Sequence, residues 1–211
     1  MADTKRQEEA SLVTFYYAIN QGSSLEPYED EKLVEALKAV YPPVMSENGK
    51  WYKTFLKQSK VLLKWLGHRE GSKDTSYSYA RWGSKKVTGI PTSQYTSIYE
   101  DVFDGFNADQ KALFGKGSGV KDSWNTTDVY ICKTDKIKTI EDTVNNVIKD
   151  SLSSTIGSSD AAEIEVACIN RYFASLLRDK TCVGISLKET DYGDPKVTET
   201  NVGSTFISDI G

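Results

Sequence analysis

At 211 residues the chain can build one domain with a sizeable core, or one domain with a small appendage. Its 38% hydrophobic and 27% charged residues are ordinary for a soluble globular protein, and no run approaches the roughly 20 apolar residues of a membrane helix. The net charge of −4 excludes no partner, but residues 50–90 hold ten Lys or Arg against Glu70 and Asp74, enough to focus a positive field over one surface.

Residues 7–20 read as an amphipathic helix, with Glu8, Leu12, Phe15, Tyr16 and Ile19 at helical spacing and a break at Gly22–Ser24. Its apolar run, Leu12–Ile19, contains Thr14, follows Glu8 and Glu9, and lacks the flanks of a secretion signal. The expected location is therefore intracellular. A second helix is expected over about Glu29–Val40, with Leu33, Val34 and Leu37 inward and a stop at Pro42-Pro43. The third, roughly Lys50–Leu66, carries two separate stripes. Tyr52, Phe55, Leu56, Ser59, Leu62, Leu63 and Leu66 form an apolar face, and Lys50, Lys53, Lys57, Lys60 and Lys64 lie nearly opposite. Five lysines unrelieved by an acid repel one another unless an anion lies against them, and a solvated face is the competing explanation.

Residues 67–91 are rich in Gly, Ser, Tyr and basic residues, and alternation of Ser and Tyr before Ala80-Arg81-Trp82-Gly83 predicts a strand or hairpin. Arg81, Lys85 and Lys86 could contact phosphate there, with Trp82 stacking on a base; a half-buried hairpin explains the aromatics equally well. The spacing of Tyr95, Ile98 and Val102 predicts a helix over 92–103, and Asn107 caps a further turn through Phe114. Gly115-Lys116-Gly117-Ser118-Gly119 lacks the spacing and flanks of a phosphate-binding loop and reads as a hinge.

After a strand at Asp128–Cys132, Ile140, Val144, Ile148 and Leu152 mark a helix, and Ser151–Ser159 a polar linker. Asp160, with Glu163 placed for a capping box, starts a long helix to about Arg178 with a stripe of Ala162, Val166, Ile169, Phe173 and Leu177. That helix feeds a strand at Thr181–Lys188, and beyond Glu189 the chain is a polar tail. These elements predict an α/β (α+β) fold, a small mixed sheet flanked by helices, in one compact domain. Its parts are an N-terminal helical region (1–66), a sheet-containing core (67–189) and a tail (190–211).

Both strands alternate. Val183, Ile185 and Leu187 face one way and Gly184, Ser186 and Lys188 the other; Val129 and Ile131 oppose Asp128 and Tyr130. If the strands share a sheet, Asp128, Ser186 and Lys188 converge on a polar face. Cys132, Cys168 and Cys182 have no CxxC spacing and read as buried free thiols. His68 is the only histidine, which excludes sites needing two and leaves carboxylates, lysines, hydroxyls and a hard metal ion for any catalysis.

Trp124-Asn125-Thr126-Thr127-Asp128-Val129-Tyr130, followed by Val183-Gly184-Ile185-Ser186-Leu187-Lys188, resembles the PD-(D/E)XK nuclease superfamily, particularly phage-encoded members and some restriction endonucleases. The resemblance covers about a dozen residues. It implies a restriction-endonuclease-like fold in which Asp128 binds Mg²⁺ or Mn²⁺ and Lys188 is the catalytic lysine of DNA phosphodiester hydrolysis. Ser186 stands where the family has Asp or Glu, so either Glu8, Glu9 or Glu189 supplies the acid, or the site binds without cutting. Two functions follow from the resemblance. One is a metal-dependent, phage-encoded DNA nuclease working in the host cytoplasm. The other is an inactive nuclease-like module that binds nucleic acid or assembles, with copies of itself or with other proteins, in a phage particle.

Overall fold

The computed structural model describes residues 2–46, 50–81, 83–98, 127–152 and 158–187. Helix α1 (Ala2–Tyr16) begins earlier than its periodicity suggests and runs on through one π-helical turn, Tyr17–Gln21. It ends at Gly22, whose φ of 65° suits glycine and where a Cβ would meet the Gly71 carbonyl oxygen at 2.6 Å. The second half of α1 is not amphipathic. Every residue from Ala10 to Tyr16 is buried, Ser11 and Thr14 included, because α2 (Glu31–Val40), α3 (Lys50–Leu66) and β1 (Tyr77–Arg81) all pack on it. The two hydroxyls are satisfied within the helix, by the carbonyls of Glu8 and Ala10.

Asp30 caps α2 by accepting the Leu33 N–H at 3.1 Å, and Pro42–Met45 follows as a 3₁₀ turn. Helix α3 spans the expected residues, with all seven members of its apolar stripe buried. The sheet has the order β1-β2-β3, with β2 (Val129–Lys133) antiparallel to both β1 and β3 (Cys182–Ile185). Among the described residues its three strands are antiparallel rather than mixed. β1 is no hairpin arm: its partner is β2, and its outer edge bridges to Tyr95. That bridge and the 3₁₀ turn Thr92–Gln94 replace the first half of the helix expected over 92–103.

The sheet lies between two helical layers. Tyr77, Tyr79, Val129, Ile131 and Val183 join the larger core of α1–α3. On the other face, Ala80, Tyr130, Cys132 and Cys182 pack with Ile140 and Val144 of α4 (Ile137–Leu152) and Ile169 and Leu176 of α5 (Ser158–Arg178). The expected polar face is therefore largely covered, and β2 is buried on both sides. Each fully buried Val, Ile or Leu side chain among them contributes roughly 1.5–3 kcal/mol. Helix α5 starts two residues before Asp160, which falls in its first turn rather than at its cap. No described helix is long and apolar enough to cross a membrane.

The cysteines depart from the expectation of three buried thiols. Cys132 and Cys182 are direct partners across β2 and β3, with Cα atoms 4.0 Å apart, and form a disulfide; Cys168 is exposed. The strand register, invisible in either motif alone, brings the two sulfurs together. Trp82, Asn107–Gly119, Trp124–Thr126, the middle of the 151–159 linker and the tail beyond Leu187 lie outside the described residues.

Candidate functional site

Asp128 precedes β2 and Ser186 follows β3, and the antiparallel register that sets Val129 opposite Ile185 brings the two together. The Asp128 N–H donates to the Ile185 carbonyl at 3.0 Å. Its carboxylate accepts the Leu187 N–H at 2.7 Å and, more weakly, the Ser186 hydroxyl at 3.4 Å. The short contact is a charge-assisted bond to backbone, so the carboxylate closes the end of the sheet. Gly184 makes this junction possible. A Cβ there would lie 2.7 Å from Thr127 Oγ1 and 2.9 Å from Tyr130 Cε1, although Gly184 itself is exposed.

Of the three residues expected to converge, Asp128 and Ser186 meet; Lys188, like Glu189, lies outside the described residues. The other acids considered for the missing ligand are engaged elsewhere. Glu8 binds Arg81, with Oε2 2.7 Å from Nε and 2.5 Å from Nη2, and Glu9 accepts the Ser84 hydroxyl at 2.8 Å. Arg81 shares its sheet face with Val129, toward α1, whereas alternation places Asp128 with Tyr130 toward α4 and α5. Among the described residues no group of three His, Cys, Asp or Glu could hold a metal ion.

Arg81, expected to contact phosphate, is paired instead with Glu8, 73 positions away in sequence, and its guanidinium is largely buried. Lys85 and Lys86 are exposed beyond the end of β1, next to Ser84 and its Glu9 contact. On α3, Lys53, Lys57 and Lys64 are exposed. Lys60 is not unrelieved, as it pairs with Glu26 at 2.5 Å. The hydrogen bond to Glu26 holds its ammonium above the ordinary lysine value.

A second polar cluster, which the sequence reading missed, occupies the other end of the sheet. Asp74 accepts the N–H of Ser76 at 2.9 Å and its hydroxyl at 2.5 Å, and the Lys133 ammonium at 3.2 Å. Lys133 also donates to Ser76 Oγ at 2.6 Å and sits 3.8 Å over the Tyr77 ring. His68 Nε2 is 3.3 Å from Asp74 Oδ2, at ion-pair distance but without hydrogen-bond geometry. Burial works against ionising Asp74, but the bonds from Ser76 and Lys133 outweigh it and hold the carboxyl below its usual value. Burial likewise opposes the Lys133 charge, and Asp74 and Tyr77 outweigh it and raise that group. A lysine so held stays protonated and cannot serve Ser76 as a base. The one legible signal was local: an Asp two residues before a Ser predicts the turn that Asp74 and Ser76 form.

No family model matches the chain, and no curated protein or solved structure does.

Proposed function

We propose that the chain binds DNA through the lysine face of α3 and does not cleave it, as an inactive module of PD-(D/E)XK nuclease type. The observation that carries this reading is the exposure of Lys53, Lys57 and Lys64 along one side of a helix whose other side is locked into the core. The row spans about 16 Å, a length over which one strand of a duplex presents several phosphates. Absence of cleavage is supported by Ser186, which stands beside Asp128 where the resemblance calls for an acid. Neither Glu8 nor Glu9 is placed to join it.

The test is DNA affinity against salt. Between 50 and 200 mM salt, log Kd should change steeply, and replacing Lys53, Lys57 and Lys64 together by glutamine should flatten the slope by about two to three. Salt-independent binding, or none, would leave the row as solvated surface.

A second reading, Mg²⁺- or Mn²⁺-dependent hydrolysis with Asp128 as the metal ligand and Lys188 as the catalytic lysine, draws on the meeting of Asp128 with Ser186. Its test is cleavage of linear and supercoiled DNA by wild type, Asp128→Asn and Lys188→Ala. Asparagine is the informative change at 128, since it keeps an acceptor for Leu187 while removing the charge. Metal-dependent cleavage lost in both variants, with folding retained, would establish this reading over the first.

A further inference from the structure

Among the described residues, two non-glycine residues hold a left-handed backbone: Tyr28 at φ 67° and Lys180 at φ 56°. Both are laid against α3. Tyr28 is the third residue of the turn Glu26–Glu29, closed by the Glu29 N–H on the Glu26 carbonyl at 3.3 Å, where glycine or asparagine is favoured after Pro27. Its N–H donates to the Tyr52 hydroxyl at 3.1 Å, and its ring tilts over that of Tyr52 with centroids 5.2 Å apart. The residue is nevertheless 54% exposed.

Lys180 ends α5. Its N–H donates to the Leu177 carbonyl at 3.0 Å and that of Thr181 to Leu176 at 2.8 Å, the helix-ending arrangement in which glycine is the usual left-handed residue. Its ammonium lies 5.4 Å over the Trp65 ring. On a helix of about 3.6 residues per turn, Tyr52 and Trp65 flank the row of Lys53, Lys57 and Lys64 on opposite sides, roughly 20 Å apart along the axis. Two positions that glycine would fill without strain thus carry an exposed ring and a cation, one at each border of the basic row.

We propose that this face of α3 is a track for single-stranded nucleic acid, with Tyr28 stacking on a base and Lys180 joining the α3 lysines on the phosphates. The proposal rests on the nucleic-acid reading above and narrows it. In a duplex the base faces are already stacked, so an exposed ring beside a basic row suits a strand whose bases are free. Of the carboxylates at the Tyr28 turn, Glu26 is neutralised by Lys60 at 2.5 Å, whereas Glu29, which accepts the Ser24 hydroxyl at 2.7 Å, and Asp30, which accepts the α2 cap N–H, keep their charge, so the phosphates must run on the lysine side of the ring.

The experiment is fluorescence anisotropy of labelled dT20, rU20 and a 20-base-pair duplex on the full chain, with thermal melts of every variant. Wild type should hold dT20 or rU20 more tightly than the duplex. Tyr28→Gly should lose roughly ten-fold affinity for the single strand, Tyr28→Phe should keep it, and the duplex should respond little to either. Lys180→Gly should lower the salt slope by about one. Both glycine variants relieve a left-handed side chain, so their melting temperatures should not fall, which separates lost contacts from lost folding. Preference for the duplex, or unchanged single-strand affinity in Tyr28→Gly, overturns the track while leaving the lysine reading in place. Absence of salt-dependent binding to every probe overturns both.

Discussion

Where β1 begins and β2 ends, Asp74, Ser76, Tyr77, Lys133 and His68 gather around one carboxylate, and the Cys132–Cys182 disulfide lies one residue further in. Where β2 begins and β3 ends, Asp128 meets a backbone N–H and a distant hydroxyl. The first end is covalent and ionic; among the described contacts the second is held by hydrogen bonds and by the close approach of Thr127 and Tyr130 to Gly184. The family resemblance pointed to the second end, while among the described residues the richer set of titratable groups is at the first. In both, the described partners of the carboxylate are groups that fix strand ends. An acid beside a strand reads alike in sequence whether it serves a metal or the main chain, and the donors placed around it make the difference.

The largest expected effect comes from removing the covalent part of that difference. The disulfide closes a loop with a sequence separation of 50, for which the chain-entropy estimate is about 4 kcal/mol. Cys182→Ala should lower the unfolding free energy by roughly 2–4 kcal/mol in denaturant titrations without reductant. Thiol titration of the unfolded, unreduced chain should find only Cys168 reactive. Three reactive thiols would make the two ends of the sheet alike, both held by non-covalent contacts.

Next is Asp128. Replacing it by alanine leaves the Leu187 N–H without its charged acceptor and should cost about 1.5–3 kcal/mol, whereas asparagine should recover most of the loss. Equal stability of the alanine variant and wild type would free the carboxylate for another role and favour the hydrolytic reading. At the opposite end, Asp74→Asn weakens a charge-assisted network and should cost about 1–2 kcal/mol at neutral pH. Because the folded-state value of Asp74 is depressed, its contribution is present above its unfolded value near 3.9 and is lost as pH falls through the folded value. Wild type and Asp74→Asn should therefore converge in stability on acidification from pH 5. A gap that persists unchanged at acid pH would show that the carboxylate's charge is not what holds this end.

What the sequence disclosed follows from range. Helix α3 was legible to the residue because its apolar and basic stripes are both within one helix. Helix α1 was misjudged because burial on all sides erases the contrast on which periodicity depends. The spacing of Tyr95 to Ile98 fits a helix, but Tyr95 bridges to Tyr79 and its hydroxyl contacts the main chain of Arg81 and Ser84. The pairings that decide the candidate site join residues far apart: Glu8 with Arg81 across 73 positions, Asp128 with Leu187 across 59, and Cys132 with Cys182 across 50. No local pattern encodes those partners, so the sequence could nominate Arg81 and Asp128 without showing that each was engaged.

The smallest expected effect falls on Ser186, and it bears on the residue where the chain departs from the nuclease pattern. Its hydroxyl is exposed and lies 3.4 Å from Asp128 Oδ2, long for an O–H···O bond, so water can replace it at little cost. Ser186→Ala should change stability by less than about 0.5 kcal/mol. Ser186→Asp is the sharper probe, since it places a second carboxylate beside Asp128 and restores the acid that the resemblance leads one to expect. Without metal the two like charges should lower the melting temperature. With 10 mM Mg²⁺ or Mn²⁺ that loss should be reversed in Ser186→Asp, while wild type should show no comparable response. A metal response already present in wild type would mean that Asp128 has another acid within reach, and would turn the comparison of the two sheet ends toward catalysis.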